Sequence, residues 1–268
     1  KYLVKLINYM VKNFSYIFLC LIIFNSNFAL SDTGPNYKKE KNISEQILQN
    51  IFDGEINQIT SSLGEKFSII KQTSKKNKNS ILLLHGRGLN PDEETVINPL
   101  RLGLFDVGYN TYSIQLPVLT SGSTYYDYIK IFKYSDERIE ASIQNIADDN
   151  EEIIIIAHSC GVHMLMSWIE KYNNNSIKAF ILIGSEATDL GQKIIKPYQF
   201  QKISVPILDI YGENDYKFVK SNAHQRLKKI KKSLNVKSSQ IKILGSDHYH
   251  HDNVDELLKA VKQWLKTT

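Results

Sequence analysis

Short apolar segments recur along the chain from Ile81 onwards, and each is followed by a stretch long enough to form a helix. The predicted strands are Ile81–Leu84, Tyr109–Leu116, Ile153–Ile156, Ala179–Ile183, Ile207–Tyr211 and Gln240–Leu244. Uninterrupted apolar strands are typical of parallel sheets that are covered on both faces. The sequence therefore predicts the α/β class, with a doubly wound, mostly parallel sheet and helices on both faces.

Helices are predicted in the intervals between these strands. Asn90 can cap a helix that begins at Pro91 and runs towards Val107, since both residue types favour those positions. Further helices are predicted at Ser135–Ile146, Val162–Tyr172, Phe218–Leu234 and Val254–Trp264. Upstream, apolar residues at mostly three- and four-residue steps across Ile43–Leu63 predict one more helix. We expect this helix to pack on the main domain, and a separate partner-binding helix is the alternative.

Residues 1–31 have the order of a secretory signal peptide. Lys1, Lys5 and Lys12 precede an apolar run from Phe14 to Phe24, and small residues at 29 and 31 fit a cleavage site. A membrane span needs roughly 20 apolar residues, so the short run favours a cleaved signal over a retained anchor. We therefore expect an exported protein, periplasmic or extracellular, with no stable membrane span after signal removal.

The rest of the chain is interpreted as a disordered linker at 32–42 and one domain at 43–268. The net charge is +5, and three of these charges belong to lysines of residues 1–31, which contain no acid. The remaining charge is too small to indicate nucleic-acid binding. Signal removal also removes Cys20 and leaves Cys160 alone, which excludes an intrachain disulfide. We expect a monomer that is held together by its core.

A strand-turn-helix motif surrounds Ser159. The residues from 157 to 161 read AHSCG, which matches a nucleophile elbow with alanine in place of the first glycine. The tight turn requires small residues two before and two after the nucleophile. Ser159 has Ala157 and Gly161 there, whereas a histidine and a valine would flank Cys160. The spacing predicts Ser159 as the nucleophile and the Cys160 N–H as an oxyanion donor; an ordinary polar strand end is the alternative.

The sequence HGRG follows the first predicted strand. A glycine at residue 86 allows the backbone to come close to the elbow, so the N–H of Arg87 is a candidate for the second oxyanion donor. An ordinary glycine-rich turn is the alternative. The side chain of Arg87 either binds an anionic group of the substrate or braces the loop through an ion pair, and both readings stay open.

An acid and a histidine follow the last two predicted strands. Asp215 comes shortly after Tyr211, and His248 comes shortly after Leu244, which gives the chain order Ser, Asp, His that accompanies a nucleophile elbow. His248 would take the serine proton, and Asp215 would fix the imidazole tautomer. The alternative acids are Asp189 and Glu186, which follow the preceding strand.

Two other residue groups allow different interpretations. The run DHYHHD at 247–252 contains metal-ligating residue types, but one short loop rarely supplies convergent ligands. Cys160 and His163 lie three residues apart on a predicted helix, a spacing that favours core packing over ligation. We predict neither a metal nor a cofactor.

A long segment at 117–134 separates the second strand from the next helix and carries several aromatic residues. It is interpreted either as a small lid over the site or as a surface excursion that packs on its own aromatic side chains. Tyr125 and Tyr126 are the candidate substrate contacts in this segment.

Several segments resemble the α/β-hydrolase superfamily: ILLLHGRGLNPDEETVINPLRLGLFDVGYNTYSIQLPVL, AHSCG, PILDIYGEND and GSDHYH with VKQWL. More narrowly, HGRG followed by NPD and QLPVL is similar to a bacterial exported family of that fold whose function is not established. The resemblance covers Glu45 to Leu265. It implies an α/β-hydrolase domain with Ser159, Asp215 and His248 as a catalytic triad, and it implies no particular substrate.

Two function classes follow from these residues. The first is a serine hydrolase that acts on a carboxylic ester, thioester or amide, with a small-molecule or lipid-like acyl substrate. The second is a non-catalytic, hydrolase-like envelope protein that binds a ligand or a partner. The complete set of Ser, Asp and His favours the enzyme, although fold alone does not decide function.

The order of residues 1–31 makes one prediction that can be tested directly. Mass spectrometry of the protein from its native envelope should find a mature N-terminus near residue 32, because the small residues at 29 and 31 fit a signal peptidase site. An intact N-terminus recovered from the cytosolic fraction would contradict export.

Overall fold

A computed structural model describes residues 2, 34–77, 79–147, 152–172, 174–233, 235 and 237–268. Apart from residue 2, the predicted signal peptide lies outside the described residues. The chain divides into two units, 1–34 and 35–268, and all strands and helices with described bounds belong to the second. Within the described residues, no helix is both long enough and apolar enough to cross a membrane.

In the described part of the chain, eight strands pair in one sheet. They are β1 (Glu55–Thr60), β2 (Lys66–Gln72), β3 (Asn79–Leu84), β4 (Tyr109–Ile114), β5 (Glu152–His158), β6 (Ile177–Ile183), β7 (Ile207–Gly212) and β8 (Ser239–Ile243). Their order across the sheet is β1-β2-β4-β3-β5-β6-β7-β8. The two pairs that involve β2 are antiparallel, and the other five are parallel. The predicted doubly wound, mostly parallel sheet is confirmed.

Helices cover both faces of this sheet. They are α1 (Tyr37–Asn50), α2 (Ile97–Phe105), α3 (Tyr125–Ile129), α4 (Phe132–Ala147), α5 (Cys160–Lys171), α6 (Lys217–Ile230) and α7 (Val254–Leu265). Alternation along β5 turns Ile155 towards the core that includes α4 and α5, and Ile156 towards the core that includes α2 and α7. Each fully buried isoleucine contributes about 1.5–3 kcal/mol relative to an exposed one, so an uninterrupted apolar strand stabilises both layers.

The structure corrects the prediction for the N-terminal part of the domain. Helix α1 begins at Tyr37, inside the predicted disordered linker, because the Asn36 side chain accepts from the N–H of Lys39 at its first turn. Glu40 of this helix is buried against the guanidinium of Arg138, with 3.0 Å between Oε2 and Nη2. The compact unit therefore begins at Pro35 rather than at residue 43.

The predicted helix over residues 43–63 is also wrong beyond Asn50. Gly54 has φ +103°, and a Cβ there would lie 2.7 Å from the Lys71 carbonyl oxygen, so the chain turns sharply. Residues 55–60 then pair with β2 as an antiparallel edge strand, with Ile56 opposite Ile70. The helix prediction is wrong here because Ile56 and Ile59, which match the helical spacing, belong to a strand.

The helix predicted to begin at Pro91, with Asn90 as its cap, begins later, at Ile97. Asn90 accepts instead from the N–H of Asp92, which closes a local turn. The carboxylate of Glu93 accepts from the N–H groups of residues 95–97 and satisfies the helix N-terminus. The result is a longer loop after β3, which leads from the sheet edge where the candidate site residues lie.

Candidate functional site

Ser159 occupies a strained turn between β5 and α5. Its backbone angles are φ 55° and ψ −119°, a region that a serine rarely adopts. Two residues later, a Cβ on Gly161 would lie 2.6 Å from the His85 carbonyl oxygen and 2.7 Å from that of Leu84. Only glycine fits at that position, so α5 begins in close contact with the end of β3. Ser159 lies at the carboxyl end of β5.

The structure brings His248 and Asp215 to Ser159. His248 Nε2 lies 2.8 Å from Ser159 Oγ, and His248 Nδ1 lies 2.6 Å from Asp215 Oδ1. All these contacts lie at the carboxyl ends of strands β5, β7 and β8. With Asp215 as an acceptor, Nδ1 carries the proton and Nε2 is free to accept from the serine.

Asp215 is held in its ionised form. Burial raises the pKa of its carboxyl, but the hydrogen bond from His248, the charge of that ring and two backbone donors outweigh burial and lower the pKa below its usual value. The backbone donors are the N–H groups of Tyr216, at 2.6 Å, and of Gly212, at 3.4 Å. An ionised acceptor can stabilise an imidazolium on His248.

The two alternative acids are engaged elsewhere. Asp189 accepts hydrogen bonds from Nη1 and Nη2 of Arg87, at 2.5 and 2.8 Å. It also accepts one from the backbone N–H of Tyr125 at 2.7 Å. Glu186 pairs with the buried Arg226 at 3.3 Å. Neither carboxylate hydrogen bonds to His248.

Four residues that the sequence reasoning missed hold the ring of His248. Tyr216 stacks on it with 4.2 Å between centroids, and Tyr249 meets it edge-on at 5.1 Å. The Nε2–H of His158 donates to the His248 carbonyl oxygen at 3.0 Å. At Gly184, with φ +63°, a Cβ would lie 2.7 Å from Cε1 of the ring. The available indications were a glycine directly after a buried strand and aromatic residues next to the acid and the histidine.

The backbone beside Ser159 offers candidate oxyanion donors. Arg87 and Cys160 both line the pocket that contains Ser159, and within the described residues neither N–H donates to a protein acceptor. The loop before Arg87 is fixed by His85, whose Nδ1–H donates to Gly86 O at 2.7 Å while Nε2 accepts from the Leu116 N–H at 3.0 Å. Burial lowers the pKa of His85 to about 4, so this ring is neutral and structural.

The predicted substrate contacts lie in different surroundings. The Arg87 side chain forms an ion pair with Asp189. This contact fits the interpretation in which Arg87 braces its loop, rather than the one in which it binds an anionic group of the substrate. Tyr125 is buried and lines the Ser159 pocket. Tyr126 does not line it, because its hydroxyl accepts from the N–H of Lys193 in the loop after β6. Helix α3, to which both tyrosines belong, packs on that loop.

Cys160 is unsuited to act as a nucleophile. Its side chain is buried, and burial raises the pKa of the thiol to about 12, so the reactive thiolate does not form near neutral pH. His163, three residues later, donates from Nε2 to Ala187 O at 2.9 Å and accepts at Nδ1 from the Tyr198 hydroxyl at 3.0 Å. His163 therefore holds the loop after β6 in place and does not pair with Cys160.

The two histidines that follow His248, at 250 and 251, have local partners. His250 Nδ1 lies 2.6 Å from Ser246 Oγ, and His251 Nδ1 lies 2.7 Å from Asp247 Oδ2. In the described ranges, no group of three or more His, Cys, Asp or Glu residues is arranged to hold a metal ion.

Solved structures share this fold. Esterase Pf2001 from Pyrococcus furiosus has a TM-score of 0.64 at 16% identity, over 85% of this chain and 93% of its own. Est1E from Butyrivibrio proteoclasticus has 0.59 at 16%, over 80% and 98%. XC6422 from Xanthomonas campestris, described as an α/β serine hydrolase without a lid, has 0.59 at 11%, over 81% and 95%. The fold is that of the α/β hydrolases, as the resemblance implied.

A narrower assignment comes from the sequence family. Residues 130–267 match the family described as "Protein of unknown function (DUF3530)", and the chain belongs to it. The matched region runs from just before α4 to the C-terminal end of α7 and includes Ser159, Asp215 and His248. Comparison with curated proteins gave no match.

The buried histidines predict acid sensitivity. Burial lowers the pKa of His85, His163 and His250 to about 4, below the unfolded value of about 6.5. Between these values the unfolded state binds more protons, so stability should fall as pH falls from about 6.5 to about 4. Each histidine contributes up to about 1.4 kcal/mol per pH unit. Urea unfolding at several pH values measures this slope.

Burial raises the pKa values of Glu40, Asp136 and Glu186, and this raises stability as pH falls, opposite to the effect of the histidines. A pair of variants measures the contribution of one histidine separately. His163→Gln should reduce the slope by about one proton. Gln225→Ala, at an exposed position of α6 without a titratable side chain, should retain the wild-type slope. Equal slopes in His163→Gln and the wild type would contradict the assignment of a neutral, buried His163.

Proposed function

We propose that this protein is a serine hydrolase that cleaves a carboxylic ester, thioester or amide. The observation that carries the proposal is the hydrogen-bonded chain from Ser159 through His248 to Asp215, built on a strained strand-to-helix turn. A serine hydroxyl is a weak nucleophile at neutral pH and needs an adjacent base that is itself oriented by a third group. The three side chains have the spacing and the hydrogen-bond order that this chemistry requires.

In the first half of the proposed reaction, Ser159 Oγ attacks the substrate carbonyl carbon while its proton passes to His248 Nε2. The carbonyl oxygen becomes an oxyanion that accepts from the N–H groups of Arg87 and Cys160, a type of interaction worth roughly 10²–10³-fold in rate. Asp215 remains ionised and stabilises the imidazolium. His248 then donates the proton to the leaving group, which departs and leaves an acyl-serine.

In the second half, water replaces the leaving group. His248 removes a proton from the water as its oxygen attacks the acyl-serine, and then returns a proton to Ser159 Oγ as the acid product leaves. Tyr216, Tyr249 and Gly184 pack against the His248 ring and hold its orientation. A fixed orientation supports both proposed roles, because the same ring must act as base and then as acid without rotating.

We also propose that the hydrolase acts outside the cytoplasm, with its signal peptide removed. This rests on the basic, apolar and small-residue order of residues 1–31. Its substrate would then be a small-molecule or lipid-like acyl compound of the bacterial envelope or its surroundings, and the enzyme would act as a monomer.

A fluorophosphonate probe with p-nitrophenyl acetate turnover tests the proposed function. The probe should label Ser159, and Ser159→Ala and His248→Ala should each abolish labelling and turnover, because nucleophile and base are lost. Cys160→Ala should still be labelled at Ser159. Asp215→Asn should lower turnover by about 10⁴-fold, since the tautomer of His248 is no longer enforced.

Asp189→Asn is the matched control for the acid, and it should lose far less activity than Asp215→Asn because Asp189 does not contact His248. Folding of every variant is checked by circular dichroism. Folded wild-type protein that neither labels nor turns over any ester, thioester or amide would refute the hydrolase and favour a non-catalytic binding protein.

A further inference from the structure

Ser159 lines the smaller of two neighbouring spaces that differ greatly in size. The space directly around the serine hydroxyl is about 40 Å³ and is walled by residues that include Leu89, Tyr125 and Ala187. A second space of about 500 Å³ adjoins it and is walled by residues that include Leu190 and Phe218. Arg87, Thr188 and Tyr216 line both, so the two spaces are neighbours that share these three residues as walls.

The small space limits one side of the scissile bond. A cavity needs about 10–15 Å³ of this measure to hold a water molecule, and a cavity of about 150 Å³ holds benzene. A space of 40 Å³ therefore accepts about three non-hydrogen atoms. An acetyl group has that size, and a hexanoyl group exceeds it. Tyr125 is buried and held by its N–H bond to Asp189, so this wall is fixed.

The large space shares the wall of Tyr216 with the space around Ser159. In ester cleavage the leaving oxygen takes its proton from His248 Nε2, so the leaving group departs past that ring. Tyr216 stacks on His248 and is also a wall of the large space. A space of this size takes a ligand of drug-like dimensions, and the fully exposed side chain of Leu190 offers apolar surface at its rim.

We propose that the substrates are esters of a short acyl group, of about acetyl size, with a larger apolar alcohol that lies along Leu190, Tyr216 and Phe218. This inference rests on the proposed serine hydrolase function and specifies its substrate class. The acyl group occupies the small space beside Leu89 and Tyr125, and the alcohol part occupies the large space. Cleavage by water yields the short acid and the free apolar alcohol.

Hexyl acetate and ethyl hexanoate provide a matched test, because they are isomers that differ in which side of the ester is long. Both have primary alcohol leaving groups of nearly equal basicity. The full chain should cleave hexyl acetate with kcat/KM at least about tenfold above that for ethyl hexanoate, the range by which pocket size discriminates between substrates. Equal rates, or a preference for ethyl hexanoate, would overturn the assignment of the two spaces.

Two variants test the walls separately. Leu190→Ala should lower kcat/KM for hexyl acetate by about three- to tenfold more than for ethyl acetate. Leu48→Ala, an exposed leucine on α1, is the matched control and should leave the ratio of the two substrates unchanged. Leu89→Ala enlarges the small space and should raise kcat/KM for ethyl hexanoate relative to ethyl acetate, a gain that misfolding does not produce.

The outcomes separate this inference from the proposed function. If Ser159 is labelled by a fluorophosphonate but hexyl acetate is not preferred, or if neither isomer is cleaved, the size partition is wrong and the serine hydrolase stands. If the folded protein is neither labelled nor active on any ester, thioester or amide, both are wrong. If Leu89→Ala leaves the acyl preference unchanged, the small space is not the acyl site.

Discussion

The close approach of α5 to the end of β3 is the contact on which the rest of the site depends. Gly161 lies so near the carbonyl oxygens of Leu84 and His85 that no side chain fits there. This contact forces Ser159 into its strained backbone conformation and places the first N–H of α5 beside the loop of Arg87. Ser159 and the candidate oxyanion donors are thus fixed by the same packing contact, and the buried apolar strands β3 and β5 hold that contact in place.

Around this turn, the polar groups of the site are buried and have defined partners. His85, His158 and His163 are neutral because burial lowers the pKa of each, and each holds a different loop through hydrogen bonds. Arg87 and Asp189 join the loop after β3 to the loop after β6. A buried, pre-oriented polar site needs little reorganisation when charge develops on a substrate.

Much of the fold and part of the site could be predicted from the sequence. Apolar strands between helices identified the sheet, because a strand that is buried on both faces is apolar at every position and is easily recognised. The small residues around Ser159 identified the turn, since its geometry excludes bulk. The same logic failed for residues 52–63, where isoleucines at helical spacing belong to an exposed edge strand and the turn at Gly54 was not recognised. Local spacing cannot distinguish these cases, because pairing with β2 decides the outcome.

The choice of acid and the seat of His248 depend on contacts between distant segments. Asp189 and Asp215 both follow strands, and the Arg87 side chain, which engages Asp189, is far away in sequence. Gly184 and Tyr216 likewise matter because of where they meet His248. Chain order suggested Asp215, but only three-dimensional contacts distinguish an acid that orients a histidine from one that binds an arginine.

The proposed hydrolysis depends on a covalent acyl intermediate at Ser159. Rapid mixing with p-nitrophenyl acetate, followed by acid quench and peptide mass spectrometry, measures this directly. We expect a burst of p-nitrophenol and an acetyl group on Ser159 in the quenched wild-type protein. An acetyl group on Cys160, or turnover with no acyl-enzyme at Ser159 under any quench condition, would contradict it.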